Sequence, residues 1–276
     1  MFDPKNLSGA VLPFETKGNK NKSPIVLVPG GFDGWLNWAP HARVLSRKHM
    51  VIRVQLLNMA SAERNEILSK EYSVRSESVA LKNTLDKIGV QAANLVGFSH
   101  GGEVSLDFAL NYPDRIKTLA LIEPTIYWIA RVYGKFDEEL QEAKKLFDFV
   151  KGFHHPPTEE DLISFLRRDN YIPPKVDLRS LPRWQVWNSH RYALMYTHTL
   201  FEHSDDLTRL QMLRDTPVLL VRGEDSPQLT SGMVDLLSDT ISPNASILVL
   251  PDGRNCYIVA KAQFISSLEE FLRINT

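Results

Sequence analysis

The stretch of sequence that decides the fold reads Val96-Gly97-Phe98-Ser99-His100-Gly101-Gly102. A buried-strand pattern over Asn94–Gly97 precedes Ser99, and a helical pattern over Glu103–Leu110 follows it. The glycines on both sides of Ser99 permit a sharp turn and close packing of the helix on the strand. A serine in such a turn exposes its hydroxyl at the carboxyl end of the strand. The alternative is a glycine-rich turn with only a structural role, which the flanking strand and helix disfavour.

Segments on both sides of this turn repeat the alternation of strand and helix. Short apolar runs bounded by turn residues predict buried strands, and apolar residues at helical spacing predict amphipathic helices. The predicted strands are Ile25–Val28, Val51–Leu57, Asn94–Gly97, Thr118–Ile122, Val218–Val221 and Ser246–Leu250, and the predicted helices include Ser73–Ile88, Glu103–Leu110 and Phe264–Leu272. Lys17–Ser23 is interpreted as a solvated loop. The alternation predicts right-handed βαβ units, and therefore an α/β fold with a mostly parallel, doubly wound sheet.

One long stretch interrupts this alternation and contains helical patterns instead of strand patterns. Glu138–Val150 has the spacing of an amphipathic helix, and Thr158 with Asp161 has the pattern of a capping box at the start of another. The aromatic-rich segment Leu181–Phe201 is also predicted to be helical. The expected domains are a core made of residues 1–124 and 207–276 and an inserted helical cap of residues 125–206.

Composition and charge limit the classes of partner. The chain has 276 residues, a formal net charge of −1 and no block of basic residues, which argues against a nucleic-acid partner. The longest apolar runs are about strand length, so no membrane span is predicted. Cys256 is the only cysteine, which excludes an internal disulfide. The N-terminal residues lack the pattern of a secretory signal, and we expect a cytoplasmic protein.

The expected partner is a small-molecule substrate, and no cofactor is expected. The spacing of histidine, cysteine and aspartate residues resembles no metal site. Nothing in the sequence indicates an oligomeric state, which stays open.

Two backbone N–H groups, one from the Ser99 turn and one from a second turn, are expected to form a carbonyl-binding site beside Ser99. The backbone N–H of His100 is placed to donate to a developing oxyanion. With these motifs, the chain resembles the α/β-hydrolase family over nearly its whole length. Val28-Pro29-Gly30-Gly31-Phe32 stands where that family carries its His-Gly oxyanion turn, with Pro29 in place of the histidine. The resemblance implies that Ser99 is the nucleophile and that Gly31 supplies the second oxyanion N–H, with Phe32 as the neighbouring candidate.

The acid of the resembled triad is displaced in this sequence. The family usually carries Gly-x-x-Asp after a late strand, and here the run is Gly223-Glu224-Asp225-Ser226, so Ser226 occupies the acid position. In a subset of the family the acid follows the strand after the serine's helix, which here is Glu123. A carboxylate at the carboxyl edge of a parallel sheet faces the crevice where ligands bind. The alternative is that Glu123 forms only a local cap or salt bridge.

The base of the triad has no visible histidine. The turn Leu250–Tyr257 stands where the family carries it, and Arg254 or Asn255 takes that position, depending on register. Arginine stays protonated near neutral pH and cannot accept the serine proton. The His100 side chain is expected to face away from the position of a base. Two cap histidines, His190 and His198, are possible substitutes, although a surface or packing role is favoured for both.

Aromatic side chains around these motifs suit an apolar or aromatic substrate under the cap. The alternative for each aromatic residue is that it packs within the core of the cap. The fixed charge of an arginine at the base position would attract an anionic group of the ligand. The expected substrate-binding residues are Phe32, Trp35, Trp128, Trp187, Arg254 and Asn255.

Three functions stay open on the sequence alone. The first is a serine hydrolase with a degenerate triad that acts on an ester, lactone or thioester, as the resemblance implies. The second is a lyase, isomerase or cyclase that polarises a carbonyl at Ser99 without an acyl-enzyme. The third is a pseudo-enzyme that binds a ligand and no longer turns it over. The missing base favours the second and third, whereas the family resemblance favours the first.

Overall fold

A computed structural model, which describes residues 2–32, 34–153, 155–168, 175–241 and 243–275, contains one seven-stranded sheet. The strands are β1 (Phe14–Gly18), β2 (Pro24–Val28), β3 (Met50–Val54), β4 (Ala93–Phe98), β5 (Ile116–Ile122), β6 (Val218–Gly223) and β7 (Ala245–Leu250). Their order across the sheet is β1-β3-β2-β4-β5-β6-β7. All neighbouring strands run parallel except β1, which pairs antiparallel with β3. The predicted α/β fold with a mostly parallel sheet is confirmed.

Helices follow most strands. They are α1 (Ala39–Leu45), α2 (Leu57–Ala62), α3 (Val74–Lys87), α4 (His100–Asn111), α5 (Tyr127–Tyr133), α6 (Asp137–Lys151), α7 (Glu159–Arg168), α8 (Trp184–Ser189), α9 (His198–Glu202), α10 (Gln228–Ile241), α11 (Cys256–Val259) and α12 (Lys261–Asn275). Short 3-10 helices lie at Gly34–Trp38, Pro113–Arg115, Leu178–Ser180, Arg191–Tyr196 and Leu207–Leu213. Within the described ranges, no helix combines the length and the apolar character needed to cross a lipid bilayer.

Two predicted boundaries differ from the structure. The first two residues of the predicted loop Lys17–Ser23 belong to β1 in the structure, where Lys17 pairs with Val51. Four of the five β1 side chains are exposed, so this edge strand has no apolar run that marks it in the sequence. The predicted strand Val51–Leu57 ends at Val54, and Leu57 begins α2.

The central strands β2 to β6 are buried on both faces, as strands of parallel sheets are, whereas the edge strands β1 and β7 are largely exposed. Ile25 and Leu27 of β2 pack in a cluster with α1 and α12, whereas Val26 and Val28 pack in a second cluster with α3 and α4. The alternation of side chains along a strand produces this division, because successive residues point to opposite faces. The apolar runs of the sequence are therefore explained by burial on both sides.

The elements between β5 and β6 form the cap, which the structure builds from helices in the residues that it describes. The predicted capping box is present: Thr158 Oγ1 accepts from the N–H of Asp161 at 3.2 Å, and the Asp161 carboxylate accepts from the N–H of Thr158 at 2.8 Å. The predicted helical segment Leu181–Phe201 is divided into α8, a 3-10 helix and α9. Cap side chains form an apolar cluster that also contains Phe32 from the core. The cap thus packs directly on the turn after β2.

A buried carboxyl group fixes the start of α2. Glu77 of α3 accepts from the backbone N–H groups of Leu57 and Asn58 at 2.8 and 3.1 Å and from the hydroxyl of Tyr72 at 2.9 Å. These bonds satisfy donors at the amino end of a helix that has no side-chain cap of its own. Burial of the carboxyl group nevertheless raises the pKa of Glu77 from 4.5 to about 7.

We expect Glu77 to make the stability of the protein depend on pH. A carboxyl group whose pKa is raised by folding contributes stability below its unfolded pKa, and that stability is lost as pH rises through the folded pKa. Relative to Glu77→Gln, which cannot titrate, the native chain should lose about 2.5 kcal/mol of unfolding free energy between about pH 5 and pH 8. Urea unfolding of both proteins across this range measures the difference. The exposed Glu71→Gln is the matched control, and a pH-independent difference for Glu77→Gln would contradict the expectation.

Candidate active site

Ser99 lies at a strained turn between β4 and α4. Its φ is +51° and its ψ is −117°, values that a residue with a side chain rarely adopts. The N–H of Ser99 donates to the carbonyl of Ile122 at 2.9 Å, which ties the turn to β5. Only 8% of the residue surface is exposed. Strain of this kind persists where surrounding contacts hold it, and it is common at catalytic residues.

Glycines bring the Ser99 turn against the turn after β2. A Cβ atom on Gly101 would lie 2.3 Å from the carbonyl oxygen of Pro29, and one on Gly30 would lie 2.7 Å from the ring of Phe98. Real side chains do not tolerate such distances to backbone atoms. The backbone of α4 therefore approaches the β2 turn as closely as glycine alone allows, and this contact sets Gly31 beside Ser99.

A small cavity lies between these two turns and the cap. Its volume is ≈ 60 Å³, about the space of two water molecules in the liquid, at ~30 Å³ each. Most of its lining is apolar, and both turns and the cap contribute to it. The lining residues are Gly31, Phe32, Asn58, Met59, Phe98, Ser99, His100, Thr125, Tyr127, Phe147, Phe165, Thr197, Leu200 and Arg254.

A larger cleft adjoins this cavity. It has a volume of ≈ 740 Å³ and lies among α6, the end of α7 and the start of α10. Tyr127 and Arg254 line both the cavity and the cleft. These two side chains therefore stand where the inner cavity meets the outer cleft.

In the structure, the side chains at the two candidate acid positions, Glu123 and Ser226, are hydrogen-bonded to each other. Glu123 directly follows β5 with a φ of +43° and is 1% exposed. One of its carboxylate oxygens accepts from the N–H of Gly223 at 2.9 Å and from the hydroxyl of Ser226. Asp225 is exposed, so its side chain lies away from this group. Ser226 thus occupies the usual acid position as a hydrogen-bond donor to the displaced carboxylate.

The turn after β7 places its two candidate residues differently. Arg254 is half-buried and lines the cavity that holds Ser99. Asn255 is exposed at the start of α11 and is not among the lining residues. Of these two residues, Arg254 therefore reaches the cavity, and Asn255 is corrected from a substrate contact to a surface residue.

The other histidines do not replace the base. Among the described residues, His100 is the one histidine that contributes to the cavity lining, and burial, with the nearby His203, lowers the pKa of its imidazole to about 3. His190 bonds to the carbonyl of Phe32 and to a carboxylate, away from Ser99. His198 lies in a separate surface groove, 3.7 Å from Glu202. A group with a pKa near 3 is a weak acceptor for a serine proton.

Comparison with known proteins agrees with this geometry. The sequence model of the alpha/beta hydrolase fold family matches residues 23–259, which is most of the chain. The chain belongs to the α/β-hydrolase family. The matched residues include β2 to β7 of the sheet and the turn at Ser99.

Individual relatives are distant or match in part. This α/β hydrolase is 24% identical over 254 residues to carboxylesterase YbfK of Bacillus subtilis, which covers 92% of this chain and 78% of that protein. It is 34% identical over 103 residues to the 2-hydroxy-6-oxo-2,4-heptadienoate hydrolase of Pseudomonas putida, a match covering 36% of this chain and only 37% of that enzyme. A hydrolase structure from Pseudomonas aeruginosa PA01 superposes with a TM-score of 0.74 at 19% identity, covering 94% and 93% of the two chains. That structural likeness shows a shared fold.

Three predicted substrate contacts of the hydrolase lie elsewhere. Trp35 is half-buried beneath Arg53, whose guanidinium carbon is 5.8 Å from the ring centroid. Trp128 is 1% exposed within the main core, and Trp187 is 5% exposed within the cap cluster. These tryptophans are corrected from substrate contacts to packing residues, because large aromatic side chains stabilise a core wherever they are buried. Phe32 and Arg254 remain in the lining.

Several lining residues escape prediction from the sequence. Asn58 and Met59 come from α2, whose first residue, Leu57, stands at the end of a predicted strand. Phe147 and Phe165 come from the cap helices α6 and α7. Helical spacing predicts that these phenylalanines are buried, but not which of them reach the cavity.

One further cluster of polar side chains lies outside the cavity. Asp107, His203 and Asp205 offer ligand atoms within 4.8 Å of one another, although Asp107 is far from the other two in the sequence. Arg75 lies 3.1 Å from the Asp107 carboxylate, and Arg209 lies 2.7 Å from both carboxylate oxygens of Asp205. The two guanidinium groups already neutralise these carboxylates, so the cluster is explained as an ion-pair network.

The close contact between the two turns predicts that alanine substitutions at Gly101 and Gly31 lower the unfolding free energy by different amounts. Gly101→Ala should lower the unfolding free energy by about 2 kcal/mol or more, because its Cβ would overlap a backbone oxygen. Gly31→Ala should change it by less than about 1 kcal/mol, since no atom lies within 4 Å of that Cβ. Denaturant unfolding of both variants measures the difference. Equal losses would show that the close approach does not exist in solution.

Proposed function

We propose that this α/β hydrolase binds small esters with Ser99 at the carbonyl carbon and hydrolyses them slowly. The observation that supports this most directly is that Ser99 and Arg254 line one cavity. The serine turn and the oxyanion turn favour acyl transfer, whereas the arginine at the base position limits its rate. The proposal therefore combines a retained carbonyl site with impaired proton transfer.

The retained part of the site stabilises charge on the carbonyl oxygen. In this proposal the N–H groups of Gly31 and His100 donate to the oxyanion that forms when Ser99 attacks the carbonyl. Such donors act in a site with little water, where their effect on a developing charge is large. Met59, Phe98 and Leu200 provide the apolar surroundings.

The impaired part of the site is the transfer of the serine proton. A hydrolase of this type needs a base to accept that proton and later to activate water. Arg254 stays protonated near neutral pH, so it can neither accept the serine proton nor activate water. Without one member of a triad, a hydrolase keeps only the rate enhancement of the oxyanion hole and of substrate binding. Glu123 keeps its bonds to Gly223 and Ser226, so the acid side of the site stays formed.

The size of the cavity limits the acyl group. A volume of ≈ 60 Å³ accepts a fragment of a few heavy atoms, whereas the adjoining cleft of ≈ 740 Å³ accepts a larger group. We propose that a short acyl group occupies the cavity and that the alcohol portion extends past Tyr127 and Arg254 into the cleft. The distant likeness to a carboxylesterase agrees with an ester substrate.

One observation favours a second function, a non-hydrolytic reaction at the same site. The fixed positive charge of Arg254 at the cavity wall would stabilise an enolate or carboxylate of the substrate. The oxyanion N–H groups would then polarise a carbonyl during proton transfer or carbon–carbon bond cleavage, without an acyl-enzyme. Tight binding of an anionic aromatic ligand without any labelling of Ser99 would favour this function over ester hydrolysis.

Restoring the base tests the proposed ester hydrolysis. We expect Arg254→His to raise the rate of p-nitrophenyl acetate hydrolysis by about 100-fold or more, since it returns an imidazole to the position served by Glu123. Asn255→His is the matched control, because Asn255 is exposed and should give no gain. Labelling of Ser99 by a fluorophosphonate probe should increase in parallel, and Ser99→Ala should abolish both signals. Equal behaviour of the two histidine variants would contradict the proposal.

The cavity volume predicts a preference for short acyl chains. The native chain should favour p-nitrophenyl acetate over the octanoate by about tenfold or more in kcat/KM, because a longer chain must displace packed side chains at about 1–3 kcal/mol. Phe165→Ala enlarges the cavity and should move this preference toward longer chains. Phe149→Ala removes a half-buried cap phenylalanine outside the lining and should not. A preference for octanoate in the native chain would contradict the proposed acyl site.

A further inference from the structure

We propose that His190 is a positioning residue that holds the oxyanion turn in shape when the cap is closed. The inference rests on the proposed function, in which that turn serves acyl transfer. It concerns a contact between the cap and the core rather than a group that touches the substrate.

His190 joins the cap to two separate parts of the core. It directly follows α8 and is 2% exposed. One ring nitrogen, Nδ1, bonds to the carbonyl oxygen of Phe32, and the other, Nε2, lies 3.1 Å from Oε1 of Glu63. Phe32 follows Gly31 in the oxyanion turn, and His190 is not among the residues that line the cavity.

The acceptor at Phe32 determines the direction of one of these bonds. A carbonyl oxygen only accepts, so Nδ1 donates to Phe32. The other ring nitrogen lies beside Glu63 Oε1, which also accepts from Gln55 Nε2 at 2.8 Å. The hydrogen bond with His190 lowers the pKa of Glu63.

The contact matters because the turn is strained where it is held. Phe32 has a φ of +42°, a conformation that a non-glycine residue keeps only when its surroundings enforce it. The His190 bond fixes the carbonyl of Phe32, and the ring of Phe165 packs edge-on against the Phe32 ring with centroids 5.6 Å apart. Both constraints come from the cap. When the cap moves away, the turn loses both, and the N–H of Gly31 loses its alignment.

Two substitutions separate the two bonds of His190. The amide nitrogen of an asparagine side chain lies near the position of Nδ1, and that of glutamine lies near Nε2. His190→Asn should therefore keep the bond to Phe32, whereas His190→Gln should keep only the contact with Glu63. We expect fluorophosphonate labelling of Ser99 to stay within about threefold of native in His190→Asn and to fall about tenfold or more in His190→Gln.

The separate effects of a substitution on kcat and on KM distinguish a loss of positioning from a general loss of folded protein. In His190→Gln, kcat for p-nitrophenyl acetate should fall while KM changes little, because a misaligned oxyanion donor weakens mainly the transition state. His198→Gln is the matched control, since His198 lies on the cap outside the cavity lining. Equal losses in His190→Asn and His190→Gln would overturn the inference.

Hydrogen exchange tests the inference without any turnover. In the native chain, the amides of Gly31, Phe32 and Gly34–Leu36 should exchange in the same opening event as those of α8. His190→Gln should speed exchange of the turn more than His190→Asn does. Independent opening of the turn and α8 would overturn the inference even if neither variant folds. If the native chain shows no labelling of Ser99, the proposed function fails, while the exchange result still decides the role of His190.

Discussion

The contact on which the site depends is the backbone approach between the Ser99 turn and the turn after β2. Val28 and Gly97 are register partners in the parallel strands β2 and β4, so both strands end at the same height. Gly101 then packs against the carbonyl of Pro29 at a distance that no side chain allows. This one contact brings the hydroxyl of Ser99 and the backbone N–H groups of Gly31 and His100 to the same edge of the sheet. The other residues of the site are placed around these three groups.

Two charged residues near this edge, Glu123 and Arg254, bear on the chemistry that we propose for the site. The carboxylate of Glu123 is buried and held by Gly223 and Ser226, which is the environment of a group that orients a base. Arg254 lines the cavity that also contains Ser99. In the function that we propose, such a site binds and polarises a carbonyl, and proton transfer is its weak step.

The cap contributes more than an apolar cover. Phe147 and Phe165 form part of the cavity wall, and His190 bonds to the carbonyl of Phe32. In the positioning role that we propose, these contacts link the packing of the cap to the alignment of the oxyanion donors.

The sequence by itself determined six of the seven strands, the Ser99 turn, the carboxylate of Glu123 after β5 and the absence of histidine after β7. These features depend on local patterns, because strand period, glycine positions and residue type can be read within a few residues. Only the tertiary structure decided that Arg254 rather than Asn255 faces the cavity and that Trp35, Trp128 and Trp187 do not. It also placed His190 against Phe32 and Glu63, which are distant from it in the chain. Which face of a helix meets which turn depends on how the cap packs on the core, and no local pattern contains that information.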